Sequence, residues 1–280
     1  MAMIVELGPK LLLEYNKDES PRKKALLRSG GVANLFRRHG VSLTIYLATG
    51  GPMGDELEKV LIDQKFQVER ISVRDDAPVE ASLVMDHRTY RGHAPEHKLT
   101  FKDVQSIKKN FYATLYGEKV FLLPIFDLEK EFAAEFITRS KEYYRRSVIF
   151  GENALEFAKY DPNYIIVTRE QVEEMAPFRV TSDAELNLYA HSFVDEKQTR
   201  LLILDRYSMF FLKENTSYVF DVNQTNMDRT LFSVLFALQS EYPQEKLMQF
   251  IVGANMATDN ATIGEMAEIG KTVTARVLHP

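Results

Sequence analysis

Three clusters in this sequence carry side chains or backbone that could do chemistry. The turn Gly50-Gly51-Pro52-Met53-Gly54 precedes a helix-like run and could cradle a phosphate with its amides. Its alternative is a plain strand-to-helix turn, with Asp55 and Glu56 favouring the positive end of the helix, and the pattern favours that reading. His87, His93 and His97, with Glu96, have the residue types of a metal site, but their spacing in a polar stretch matches no ligand pattern and reads as a solvated loop. Asp228 follows Thr225-Asn226-Met227 immediately before an apolar helical run, where a carboxylate is a routine helix N-cap. No metal site is expected.

The elements that must position these residues alternate. Met3–Leu7, Leu43–Ala48, Val120–Pro124, Arg146–Phe150 and Tyr164–Val167 read as strands; Val32–His39, Asp55–Gln64 and Phe132–Tyr144 read as helices. Arg169–Met175 starts another helix, Arg200–Leu204 and Met209–Leu212 bracket a turn, and Asp228–Gln239 and Glu245–Met256 are helices. Strands separated by helices indicate a mostly parallel sheet covered on both faces. Only Val68–Val73 and Ala81–Met85 break the rhythm, and they are expected to form a β-lid outside the main sheet, around residues 68–86. The expectation is one domain over residues 1–280, carrying that lid. A hydrophobic content of 45% suffices for a large core.

Bulk properties narrow the function classes. The net charge of −5, with scattered basic residues, argues against a nucleic-acid surface. The absence of cysteine excludes disulfides and thiolate metal sites. No apolar run is long enough to span a bilayer and the opening residues do not form a secretion signal, so a soluble cytoplasmic protein is expected.

The order of segments resembles the phosphofructokinase-B carbohydrate kinases, in the tagatose-6-phosphate and fructose-1-phosphate kinase branch. Gly151–Met175 is similar to the family's G-E-A-L…P-D-L-I-K-P-N-R-E-E-L-E-E-L. Leu47–Gly54 resembles its F-x-G-G-x-x-G turn, and Val222-Asn223…Asp228 its V-N-T-x-G-A-G-D-S. Phe250–Thr258 is similar to its small-residue helix beside adenine. The resemblance implies a ribokinase-like three-layer α/β/α sandwich with a small β-lid, ATP and Mg²⁺ as cofactors if the chain is active, and a homodimer clasped through the lids. It implies Asp228 as general base, Thr225, Asn226 and Met227 as the anion hole, Gly50, Gly51 and Gly54 as substrate contacts, and Ala254, Asn255 and Thr258 beside the nucleotide.

The departures are extensive. The acidic residue of L-N-P-A-x-D is Leu12, and G-G-K-G-x-N-V-A reads Leu26-Leu27-Arg28-Ser29-Gly30-Gly31-Val32-Ala33. The lid's T-R is Ala77-Pro78, S-G-S-L-P keeps only Leu123-Pro124, and K-P-N-x-x-E is Ile166-Val167-Thr168-Arg169-Glu170-Gln171. Arg206 and Met209 occupy the glycines of S-L-G-x-x-G, and Met227 that of the anion hole. The expectation is a pseudokinase with a ligand-binding or regulatory role, its pocket taking a sugar phosphate, a nucleotide or nothing. The alternative is a weakly active ATP-dependent tagatose-6-phosphate or fructose-phosphate kinase using Asp228.

Overall fold

The structure, a computed structural model, describes residues 1–16, 20–85, 88–92, 99–114, 117–125, 130–195 and 197–279. His87, His93, Glu96 and His97 lie outside the described residues. The fold is α/β, with a mostly parallel ten-stranded sheet, helices and a separate four-stranded sheet. Its contacts fall into two compact units, Met3–Gly117 and the chain from Glu118 onward.

The first unit runs β1 (Ala2–Glu6), β2 (Lys10–Asn16), β3 (Arg22–Leu26), α1 (Gly30–Arg38), β4 (Leu43–Gly50), α2 (Gly51–Asp63), β5 (Gln67–Asp76), β6 (Val79–Met85), β7 (Arg88–Gly92) and α3 (Phe101–Thr114). All eight residues of β4 are buried, as expected of a parallel strand covered on both faces. β5 pairs with β4 in parallel as an edge strand of the large sheet. This corrects the expected lid hairpin. Val68–Val73 belongs to the large sheet, and only Ala81–Met85 lies in the small one, whose order is β3-β2-β6-β7. β5 buries Ile71 and Val73 while exposing Ser72 and Arg74. That period of two is the same for a large-sheet edge and a lid strand, so the pattern could not choose between them.

The small sheet mixes a parallel β2–β6 pair with antiparallel partners on either side. Its edges are basic: Arg22, Lys23 and Lys24 are exposed on β3, and Arg88 and Arg91 on β7. Tyr15, Leu83 and Tyr90 stand opposite one another in register across β2, β6 and β7. They form an apolar row, exposed by 39%, 37% and 54%.

The second unit runs β8 (Val120–Pro124), α4 (Lys130–Glu142), β9 (Arg146–Phe150), a 3-10 helix (Ala154–Tyr160), β10 (Tyr164–Thr168), α5 (Arg169–Met175), α6 (Asp183–Val194), β11 (Arg200–Asp205), β12 (Ser208–Lys213), β13 (Thr216–Asp221), α7 (Met227–Gln239), α8 (Gln244–Met256), α9 (Ile263–Lys271) and β14 (Arg276–Leu278). β8 to β11 are parallel, and β11 to β14 form an antiparallel meander. α7 and α8 pack antiparallel through Phe236 and Phe250, whose ring centroids are 5.2 Å apart. α8 meets α9 where Gly253 faces Gly270. Among the described residues no helix is long and apolar enough to cross a membrane.

Candidate functional site

β13 delivers the chain to the turn that starts α7. The Val222 amide donates to the Tyr207 carbonyl at 2.8 Å and the Thr225 amide to the Arg206 carbonyl at 3.1 Å. The Thr225 hydroxyl donates to the Asp205 carbonyl at 2.8 Å. The N-cap of α7 is Asn226, not Asp228: its backbone is extended and its Oδ1 accepts the Arg229 amide at 3.0 Å. Thr225, Asn226 and Asp228 can all cap, and the extended backbone at Asn226 decides among them.

Asp228 therefore sits within the first turn, exposed, with no hydrogen-bond or charge partner among the described residues. Although the residue is exposed, the protein beside its carboxyl strips part of its water and pushes its pKa above the ordinary value. The Asn226 amide, by contrast, is spent on Asn255 Oδ1 at 2.8 Å. Replacing Asn226 by alanine is expected to cost about 1 kcal/mol, the usual worth of a cap. Asp228→Ala should cost less, because it removes only a carboxylate near the helix dipole. Urea denaturation of the two variants checks this ordering.

Asn255 is buried, and its Nδ2 donates to Thr230 Oγ1 and to the Ile251 carbonyl, both at 3.0 Å. Every polar atom of this amide braces α8 against the start of α7. Ala254 is buried, and its carbonyl accepts from the Arg229 guanidinium, which also donates to the Ala257 carbonyl at 2.6 Å and pairs with Asp259. Arg229 thus caps the C-terminal end of α8. Thr258 is exposed just beyond that end. The structure brings Thr225–Asp228, Ala254 and Asn255 together and leaves Thr258 at the rim.

The neighbouring Arg206-Tyr207 turn joins β11 to β12 as a tight hairpin, with Asp205 opposite Ser208. The Arg206 amide donates to the carboxylate of Asp205 at 2.6 Å. Arg206 points to solvent over the Tyr207 ring, with 4.9 Å from guanidinium carbon to ring centroid. Met209 is fully buried in the core rather than facing the turn. The other oxygen of Asp205 accepts from Arg169 at 3.0 Å, and Arg169 also holds Glu173 and Asp183. These three carboxylates raise the Arg169 pKa against the opposing effect of burial. Gln171, where the family motif has its glutamate, closes a capping box with Thr168.

Within the first unit, Gly50, Gly51 and Gly54 form the β4–α2 turn. Gly51 has φ +63, and a Cβ there would lie 2.5 Å from the Asp76 carboxyl, so only glycine fits. The carboxylate of Asp76 accepts the Met53 amide at 2.9 Å and the Ala77 amide at 3.0 Å. The anion at this helix start is therefore the protein's own. Glu6 holds the two amides that lead into α1. It is 1% exposed and accepts from the Arg28 amide at 3.1 Å, the Ser29 amide at 2.8 Å and the Ser29 hydroxyl at 2.7 Å. Burial pushes the Glu6 carboxyl upward despite these three donors.

Glu6, Asp76, Asp205, Arg169 and Arg229 were not singled out from the sequence as site residues with these roles. Glu6 had a signal, a charged residue inside an apolar strand; the other four are paired by tertiary contacts.

No family model matches the sequence, and no curated protein matches it. Solved structures do match in fold. A Staphylococcus aureus protein assigned as a phosphofructokinase matches with TM-score 0.77 and 18% identity, over 100% of this chain and 99% of its own. Phosphofructokinase-2 from Escherichia coli, in its tetrameric inhibited form, matches at 0.76 and 14%, over 96% and 98%. A Thermotoga maritima protein assigned as a 1-phosphofructokinase matches at 0.74 and 10%, over 99% of both chains. The fold is thus the one that the sequence resemblance implied.

Proposed function

We propose that this chain is a carbohydrate-kinase homologue of the phosphofructokinase-B type that has become a pseudokinase, with a ligand-binding or regulatory role. The observation that carries this reading is a repeated one. At four of the segments that align with the family's substrate- and phosphate-binding motifs, a protein oxygen already holds a backbone amide. Glu6 holds those of Arg28 and Ser29, Asp76 that of Met53, Asp205 that of Arg206, and Asn255 that of Asn226.

Phosphoryl transfer depends on positioning and on donors aimed at developing negative charge. Losing a single such donor costs about 10²–10³ in rate. The resident carboxylates do more than remove donors, because they would repel a phosphate brought to the same amides. The donor sets do not fit ATP with Mg²⁺.

One observation favours the weakly active reading. Asp228 has a free carboxylate with a raised pKa, beside the amides of Met227 and Asp228, which have no acceptor among the described residues. A coupled ADP-release assay with fructose 6-phosphate, fructose 1-phosphate and tagatose 6-phosphate separates the two. The expected result is no turnover in either the natural chain or Asp228→Asn. Turnover on the scale of about 1 s⁻¹, lost in Asp228→Asn, would establish the active reading.

We also infer a homodimer through the small sheet. The Tyr15–Leu83–Tyr90 row is an apolar surface that a second copy would cover. Light scattering at tens of micromolar is expected to give twice the chain mass, and Leu83→Lys to give the monomer. A natural chain that is monomeric there removes the inference.

A further inference from the structure

The second unit contains a cleft of about 580 Å³ that the proposed function does not use. Its size falls in the range of small-molecule sites. One wall is a face of β13, presenting Tyr218 and Phe220 at alternate positions, and the facing wall is the first two turns of α8, with Met248 central. Because α7 and α8 are antiparallel, the cleft lies one helix length, roughly 20 Å, from the Asp228 end. It is a separate place on the molecule.

The charges at its rim are unequal. Lys213 and Glu214 pair with each other at 3.3 Å. Glu245, exposed in the first turn of α8, has no cationic partner among the described residues. The cleft thus offers a carboxylate without a side-chain cation, offset only by the start of α8, beside an aromatic ring and a polarisable thioether. An ammonium nitrogen is attracted by the carboxylate and by the electron-rich face of Tyr218, while its organic body replaces water against Tyr218 and Met248. An organic anion would gain no such attraction and would be repelled by Glu245.

We propose that this cleft binds an organic cation, a single ammonium or quaternary nitrogen on a flat apolar body. Phenethylamine is the probe, with 2-phenylethanol and phenylacetate as neutral and anionic controls of the same shape. Isothermal titration of the full chain should give saturable binding of the amine at millimolar concentration, and weaker or no binding of the controls. Glu245→Gln should weaken the amine about tenfold and leave phenylethanol unchanged. Tyr218→Leu should weaken the amine as well. The melting temperature of each variant, read alongside, shows that the protein remains folded. The proposal is overturned if the amine does not saturate, if a control binds as well as the amine, or if a folded Glu245→Gln binds the amine undiminished.

Discussion

Replacing Glu6 by alanine is expected to destabilise the protein by roughly 2–4 kcal/mol, because the buried amide and hydroxyl of Ser29 lose their acceptor at about 1–3 kcal/mol for a buried donor, and the part-buried Arg28 amide adds less. The carboxylate lies in β1 at 1% exposure, where it accepts the Arg28 amide, the Ser29 amide and the Ser29 hydroxyl. Few single domains hold more than about 5–15 kcal/mol in reserve, so this variant should approach the folding threshold. The denaturant midpoint should fall with little change in slope.

Glu6→Gln isolates the ionisation. Because burial holds the folded-state pKa above the unfolded one, the folded protein binds more proton between those two values. The Glu6 contribution is therefore fully present below the ordinary carboxylate range, shrinks as pH rises through that window, and levels off above the folded pKa. The difference in stability between natural chain and Glu6→Gln should show this slope. A difference independent of pH, or rising with it, contradicts the assignment.

Gly253→Ala is the second large effect, and two terms oppose each other. Alanine gains about 0.8–1 kcal/mol of helix propensity over glycine. Against this, a Cβ at position 253 would sit 1.9 Å from the Met266 carbonyl oxygen and 2.7 Å from the Gly270 amide nitrogen. Both are backbone atoms of the partner helix, so α9 must move as a body and no side chain can swing aside. Overpacking of this kind typically costs about 1–3 kcal/mol and occasionally more. A net loss of up to about 2 kcal/mol is expected, with α9 cut sooner in limited proteolysis. Gly264→Ala, also in α9 but with its nearest atom at 3.9 Å, should be neutral or stabilising.

Much of this fold was legible in the sequence because burial enforces its own pattern. The run at Val120–Pro124, buried at every position, and the helical spacing of Leu231, Leu235 and Leu238, all buried, leave little choice of element. What failed was assignment between sheets. An edge strand of the large sheet and a strand of the small one both expose every second side chain, and Val68–Val73 was placed in the wrong one. β2 passed unnoticed because Leu11–Leu13 do not alternate; Leu11 is buried, and Leu12 and Leu13 are half-buried on opposite faces.

The site was legible as a set of missing residues, not as a set of replacements. That Leu12, Arg206 and Met227 depart from the kinase motifs can be read from one line of sequence. That Asp76, sharing no motif with Met53, holds its amide depends on β5 returning beside β4. The Asp228 reading turned on a single position: whether the extended residue is Asn226 or its neighbour two places on.

The acceptors lodged on these amides also bear on how such a chain could change over evolutionary time. Restoring glycine at position 206 would leave the Asp205 carboxylate in place, still bound to Arg169. Removing Asp205 would strip Arg169 of one counter-charge and leave the hairpin amide bare. Removing Asp76 would uncover the starting amide of α2, and removing Glu6 would threaten folding altogether. If the chain is a pseudokinase, each such step towards phosphate binding would pass through a less stable protein before any activity could reward it. On the pseudokinase reading proposed above, the replacements would act as a ratchet, because stability alone opposes their reversal.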